Sequence, residues 1–391
     1  MMIPYEEAYQ IVIDSANVLG TETKPLIDAV GCILAQDVTA DMNMPPFNKS
    51  AVDGYACRKA DLGSEMKLVE TVAAGQIPSL SIGKGQCAKI MTGAMVPEGA
   101  DTVIMVEQTE KITENLIRFT GEKTSPNICF LAEDISAGQV VLKKGTLLRA
   151  QELAVLASFG YTNPLVYRKP LISVISTGNE LVEPEITPDR AQIRNSNATQ
   201  TIAQIRTIGA EFEYFGIAKD TEADTRQKLE EAFAHADIVL LSGGVSMGEF
   251  DYVPKVLQEL GVNILFKSIA VQPGRPTVFG VRNHQYIFGL PGNPVSSFVQ
   301  FELLVKPLIY HLMGHSFKPG MLNLPMGQSY NRQKSNRKTL LPVEIREGKV
   351  FPVNYHGSAH IHSYVAANGI VALEIGKTTL KTGEMIDVRQ L

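Results

Sequence analysis

Residues 242–251 gather Ser242, Gly243, Gly244, Ser246, Gly248, Glu249 and Asp251 into ten positions. They follow residues 238–241, a continuous apolar run expected of a parallel strand buried on both faces. Glycines at the end of such a strand admit a ligand close to the backbone, and the bared N–H groups favour an anion. A plain tight turn needs the glycines but not the serines and acids. Two other strand ends carry similar chemistry, at residues 176–180 and 290–297. In the latter, Pro291, Gly292 and Asn293 precede Ser296 and Ser297 near a helix N-terminus, where free N–H groups and the helix dipole favour phosphate or an oxyanion. Three such loops at one sheet edge predict a binding crevice.

Charged residues complement these loops. Glu180, Glu249 and Asp251 belong to them, and Asp220 follows a further strand. Acids beside a phosphate site suit Mg²⁺, which prefers oxygen ligands, although each alone also fits a solvated loop. Lys267 ends a strand, and Arg275 sits between Pro273 and Pro276. Residues 331–338 hold Arg332, Lys334, Arg337 and Lys338 with no acid. A charge run is usually a solvated loop, but a compact anionic substrate needs such a cluster in an acidic protein. His356, His360 and His362 match neither a helix face nor a zinc spacing, and no P-loop lysine is present.

Composition limits what these groups serve. At roughly 100–200 residues per domain, 391 residues predict a multidomain chain. Lys+Arg 36 against Asp+Glu 41 argues against a nucleic-acid binder. The apolar runs are of strand length, so no membrane span is expected. Glu6, Glu7 and Asp14 interrupt any signal-peptide pattern. Cys32, Cys57, Cys87 and Cys129 form no Cys-x-x-Cys pair, so neither zinc nor a disulfide framework is indicated. A cytoplasmic location is expected.

The elements that must carry the loops follow from periodicity. Tyr5, Ala8, Tyr9, Val12 and Ala16 fall at helical spacing before Gly20, and a second helix follows Arg149 and stops at Gly160. Between them, residues 66–120 read as short β runs broken by glycine and proline. The two helices are expected to pack together, leaving the β-rich stretch as an insertion. Residues 169–315 alternate strand (171–176, 213–217, 238–241, 264–267, 286–290) with helix (197–208, 221–235, 252–260, 295–312). This predicts a doubly wound, mostly parallel sheet with helices on both faces. After Pro319, short strands such as 370–375 and 385–388, separated by Gly376 and Gly383, suggest a small antiparallel barrel.

The motifs match a family in order along the chain. Residues 45–56 read Pro-Pro-Phe-Asn-Lys-Ser-Ala-Val-Asp-Gly-Tyr-Ala; residues 90–94 read Ile-Met-Thr-Gly-Ala, with Pro-Glu-Gly-Ala-Asp at 97–101. Glu-Asp-Ile at 133–135, Ser-Thr-Gly-Asn-Glu-Leu at 176–181, the 241–251 loop, Pro-Gly-Arg-Pro at 273–276 and Leu-Pro-Gly-Asn-Pro-Val-Ser at 290–296 follow. Over essentially its whole length the chain resembles the MoeA family of molybdenum-cofactor biosynthesis, and is similar to the C-terminal domain of gephyrin.

The resemblance implies an elongated discontinuous domain (1–41 and 139–168), a β-rich insertion (42–138), an α/β molybdopterin-binding domain (169–316) and a C-terminal β-barrel (317–391). It implies a Mg²⁺-dependent molybdenumtransferase, inserting molybdate into adenylylated molybdopterin with release of AMP. A cytoplasmic homodimer with an inter-subunit active site is implied too, with transient contact to the molybdopterin adenylyltransferase. Matching catalytic positions are Asp53, Thr92, Asp134, Glu180, Asp220, Asp251, Lys267, Arg337 and Ser358. On this reading Ser242, Gly243, Gly244, Ser246, Pro291, Gly292, Asn293 and Ser296 bind the pterin's phosphate or oxyanion oxygens. Glu180, Asp220 and Asp251 organise Mg²⁺, and Arg275, Arg337 and Ser358 receive molybdate. The chain departs from the family at Asn48-Lys49, Val52, Asn179 and Gln272, where many members carry lysine in the last case, and at residues 127–132, which lack two family positive charges. A diverged paralogue acting as a pterin or nucleotide pyrophosphatase, or a gephyrin-like scaffold, are the alternatives.

Overall fold

The computed structural model describes residues 2–245, 252–355 and 357–391. Ser246, Glu249, Asp251 and His356 therefore lie outside the described residues. The chain divides into two compact units: Met1–Ala35, Gly145–Ala150 and Asn163–Leu391 form one, and Gln36–Lys144 with Gln151–Thr162 the other.

The first unit is built on a six-stranded sheet. Its elements are β1 (Leu171–Thr177), α1 (Ser196–Ile208), β2 (Glu211–Ala218), α2 (Glu222–Phe233), β3 (Ile238–Ser242), α3 (Val253–Glu259), β4 (Asn263–Phe266), β5 (Val278–Arg282), β6 (Gln285–Leu290) and α4 (Pro294–Gln300). The spatial order is β2-β1-β3-β6-β5-β4. β2, β1, β3 and β6 are mutually parallel, whereas β5 runs antiparallel to both neighbours. Side chains alternate across the sheet as the strand period demands. Ile172, Val174, Ile238 and Leu240 enter one core cluster, and Ile175, Val239 and Leu241 the other. Both faces are thus covered, which is why 238–241 is uninterrupted apolar sequence. β5 has no counterpart in the periodicity reading. It is the first arm of a hairpin whose Arg282 pairs with Gln285 around Asn283 at φ 54, a two-residue turn with the positive φ such hairpins require.

The expected helix over 295–312 forms, but it widens by one turn over Phe301–Val305 before resuming at Lys306–Leu312. Pro307 lacks the N–H that would continue the α ladder, which accounts for the widening. The N-terminal helix Tyr5–Asp14 buries Ala8 and Val12 in the cluster that holds Leu308 and Leu312. It therefore packs within the first unit, whereas residues 151–158 of the helix Ala150–Ser158 belong to the second. Thr21–Thr23 pairs antiparallel with Leu165–Tyr167, joining chain from either side of the second unit.

The barrel is made from Met321–Pro325, Met385–Gln390, Gly369–Leu373, Lys338–Arg346 and Lys349–Pro352, paired antiparallel in that order. A bridge from Met326 to Val350 closes it around Leu341, Val343, Val371 and Val388. One further strand, Val271–Gln272, arrives from the α/β layer and pairs parallel with Lys338 and Thr339. That pairing matters for the site.

In the second unit the sheet order is Thr102–Met105, Gly54–Cys57, Gln86–Ile90, Glu65–Val72, Leu116–Phe119 and Thr109–Thr113. Its two faces bury Ala56, Ala88 and Ile90 on one side, and Cys57, Cys87, Ile104 and Ile117 on the other. Gly54 is required there: a Cβ would lie 1.9 Å from the Ile104 carbonyl oxygen. Among the described residues no helix is long and apolar enough to cross a membrane.

Candidate functional site

The chain reverses its winding between β1 and β3: β2 lies on one side of β1, and α2 carries the chain back to β3 on the other. The carboxyl ends of strands at such a switch point form a crevice. A cavity of about 650 Å³ occupies it, lined by Thr177, Glu180, Asp220, Ser242, Gly243, Gly244 and Gly292 among others. Gly243 (φ 95) and Gly244 (φ 64) take left-handed backbone, and a Cβ on Gly243 would lie 2.5 Å from the Thr177 carbonyl oxygen. Only glycine permits both the conformation and the approach. Asn197 Nδ2 donates to the Gly292 carbonyl at 2.7 Å, tying the start of α1 to the third loop.

The acid predicted at the end of β2 is in this cavity. Asp220 Oδ2 accepts from the Asn179 backbone N–H at 3.0 Å, and Asn179 Oδ1 accepts from the Asp220 N–H at 3.1 Å. The residue that departs from the family motif thus fixes the two loops reciprocally. Glu180 and Asp220 both line the cavity, so two carboxylates, the ligand type an oxygen-preferring cation takes, face it. Among the described residues no group of three His, Cys, Asp or Glu side chains is placed to hold a metal; Asp251, the third expected ligand, lies outside the described residues.

A second cavity, of about 600 Å³, adjoins the first and shares Val245, Pro276, Pro291 and Asn293 with it. Its character is opposite. Lys267, Arg275 and Arg337 line it together with Ser296, Tyr355 and Ser358, and no described carboxylate does. The parallel pairing of Val271–Gln272 with Lys338 and Thr339 brings the barrel's Arg337 beside the 272–276 loop. Arg337 Nη2 donates to Gln272 Oε1 at 3.3 Å. Asn293 Nδ2 donates to Ser358 Oγ at 2.9 Å, and the Val295 N–H donates to the Ser358 carbonyl at 3.0 Å. Burial pushes the Tyr355 hydroxyl up to about 12, so it stays a neutral donor.

The basic run 331–338 divides by role. Arg332 donates to the carbonyls of Glu374, Lys377 and Arg337. Lys338 pairs with Glu6 and Glu374. Arg337, immediately before the strand Lys338–Arg346, is the described member of the run that lines the cavity. Ser296, buried at the start of α4, lines this second cavity. Periodicity and motif reading passed over Ser268, Tyr355 and Asn197. Asn197 reaches Gly292, 95 residues away, and a single sequence carries no signal for such a contact.

Asp53, Thr92 and Asp134 belong to the second unit. Asp53 Oδ1 accepts from both the N–H and the hydroxyl of Thr92, at 2.7 and 2.9 Å. Those bonds, the backbone one foremost, hold the Asp53 carboxyl below the usual carboxylate range. Asp134 is exposed on a separate loop, where its N–H donates to the Met44 carbonyl at 3.0 Å. Asn48 Oδ1 accepts from the Leu131 N–H at 2.8 Å, anchoring the segment that lacks the family arginines.

Residues 3–160 match the MoeA N-terminal region (domains I and II), residues 173–311 a probable molybdopterin binding domain, and residues 328–391 the MoeA C-terminal region (domain IV). A molybdopterin molybdenumtransferase of Staphylococcus epidermidis is 35% identical over 377 residues, covering 93% of this chain and 89% of that protein. Its Staphylococcus aureus counterpart is 31% identical, covering 99% and 95%. The crystal structure of the molybdopterin biosynthesis MoeA protein of Pyrococcus horikoshii OT3 superposes with a TM-score of 0.84 at 29% identity, covering 100% of both chains. Sheet topology, ordered motifs and these matches together establish that the chain belongs to the MoeA family.

Proposed function

We propose that the protein is a molybdopterin molybdenumtransferase, inserting molybdate into adenylylated molybdopterin with release of AMP. The observation that carries this reading is the adjacency of two cavities of opposite character. In the first, the Ser242–Gly244 backbone and the Gly292 loop receive the pterin's phosphate groups. Glu180 and Asp220 fit Mg²⁺ as two carboxylates facing one cavity, and the ion when bound there neutralises pyrophosphate charge. In the second, Lys267, Arg275 and Arg337 with the Ser358 hydroxyl hold the molybdate dianion through charge-assisted hydrogen bonds. Pro291 and Asn293, common to both walls, keep the two substrates in register for reaction.

The active site is completed in a homodimer, with Asp53, Thr92 and Asp134 contributed by the partner copy. Support comes from the Asp53–Thr92 pair, which holds a carboxylate at an exposed position with no salt-bridge partner among the described residues. The adenylylated pterin arrives from the molybdopterin adenylyltransferase by transient contact. The cytoplasm is the proposed compartment, consistent with four free cysteines.

The test mixes protein, Mg²⁺, molybdate and adenylylated molybdopterin, and follows AMP and pterin-bound molybdenum together. Coupled appearance of both is expected. AMP release of equal rate without molybdate would instead identify a pyrophosphatase, and no turnover with tight pterin binding a scaffold.

A further inference from the structure

The two arginines of the second cavity are held differently. Arg337 is tied through its side chain to Gln272. The Arg275 side chain is exposed and makes no hydrogen bond or ion pair among the described residues. Its place in the cavity wall is therefore set by the backbone that carries it. That backbone is fixed at three consecutive carbonyls. The Arg275 carbonyl takes the N–H groups of Ile269 and Thr277, both at 3.0 Å, and the Gly274 carbonyl accepts from Thr277 Oγ1 at 2.8 Å. Those donors belong to the same short stretch of chain. The Pro273 carbonyl accepts instead from a different element, at 3.2 Å from Nε2 of Gln300 in α4.

Gln300 is fully buried at the end of α4, four residues after Ser296, so the two share a helix face, and Ser296 lines the cavity. Its amide is pressed against the loop. A Cβ at Gly274 (φ 105) would lie 2.1 Å from Gln300 Nε2, so the amide fills the space a side chain at 274 would need. Gln300 Oε1 is buried with no partner among the described residues. A buried acceptor left in that state costs at least as much stability as the one bond made by the other half of the amide contributes. Packing alone would be served better by an apolar side chain of the same length. The contact with the Arg275 loop accounts for an amide at this position.

Resting on the molybdate reading above, we propose that Gln300 is a positioning residue for Arg275: its amide fixes the 273–275 loop against α4 and so holds the guanidinium where the oxyanion arrives. An arginine carried on a fixed loop loses less freedom on binding than one on a loose loop, and the difference appears as affinity. Lys267 precedes the loop and does not depend on this contact, which makes it the internal control.

Two variants reach the contact from opposite sides. Gln300→Met keeps the length of the side chain and removes the donor, and Gly274→Ala displaces the amide while leaving Gln300 in place. Hydrogen exchange in the ligand-free protein reads the loop directly: the Ile269 and Thr277 amides should exchange about fivefold faster in either variant. Unchanged protection in both overturns the proposal, whatever the ligand. Isothermal titration with molybdate then reads the role at the site, where Gln300→Met should weaken binding about fivefold. In an Arg275→Ala background the same substitution should shift the affinity by less than about twofold, whereas in a Lys267→Ala background the fivefold loss should persist. Equal losses in the wild-type, Arg275→Ala and Lys267→Ala backgrounds would show that Gln300 supports the cavity as a whole rather than Arg275, and would overturn the positioning role while leaving the molybdate site standing. Wild-type protein that binds no molybdate removes the functional reading itself, and this role with it.

Discussion

Gly243→Ala probes the closest backbone approach in the switch-point crevice. Two costs can be worked from the structure. Alanine at φ 95 pays the left-handed penalty of about 1–2 kcal/mol. Its Cβ would also sit 2.5 Å from the Thr177 carbonyl oxygen, where ordinary contact begins at 3.4 Å, so the ends of β1 and β3 must part by about 0.9 Å. Forcing excess volume into a packed site costs a further 1–3 kcal/mol or so. Gly261→Ala is the matched control, since that residue has φ 81 with nothing within 4 Å of a Cβ. It pays only the conformational penalty, and the unfolded-chain effect of adding a methyl cancels between the two. Native-state hydrogen exchange of the β1 and β3 amides reads local opening without assuming that both units unfold together. Gly243→Ala should lower the opening free energy of these strands by about 2–5 kcal/mol, exceeding its control by about 1–3 kcal/mol. It should also weaken adenylylated-pterin binding, which the control leaves intact. Equal losses in the two variants would refute the close approach between Gly243 and Thr177.

Other consequences are equally direct. Thr92→Val removes a side-chain donor to Asp53, so the Asp53 carboxyl should rise toward its ordinary value in an NMR titration. Because its folded value is depressed, Asp53 stabilises the protein above its unfolded value and loses that contribution as pH falls through the folded one. The variant should therefore show a weaker acid-side pH dependence of stability, and an unmoved titration would contradict the assignment. Burial pushes the Cys57 and Cys87 thiols up to about 12. In the native state a disulfide reagent at neutral pH should modify the partly exposed Cys129 first, and all four cysteines only after denaturation. Tyr214 donates to Glu183 and accepts from Asn195, the cap of α1, both at 2.8 Å. Tyr214→Phe leaves the Asn195 amide without that acceptor and should cost about 1–3 kcal/mol by denaturant titration; a cost within error of zero would show that the link carries no load.

Local patterning resolved the strands and helices of the α/β layer because a strand buried on both faces must be continuously apolar, and 238–241 is. The same reasoning located Ser242–Gly244, Asp220 and the 290–296 loop, since residues at strand ends inherit their position from the strand. It missed β5, where Gly280 interrupts the apolar run of Val278, Phe279 and Val281 and the Asn283-His284 turn lacks a glycine. The barrel's existence was legible from glycine-broken short strands, but not its closure through Met326 and Val350. What only tertiary structure decided is which loops share a cavity. Arg337 reaches the basic second cavity because Val271–Gln272 leaves the α/β layer to pair with a strand more than sixty residues later. Asn179 became the partner of Asp220, and Lys338 and Arg332 were drawn away from the site while Arg337 was left in it. A sequence specifies periodicity within a segment through local sterics and burial. The pairing of distant segments is set by the register and packing of the whole, and the chemistry of this site depends on that pairing.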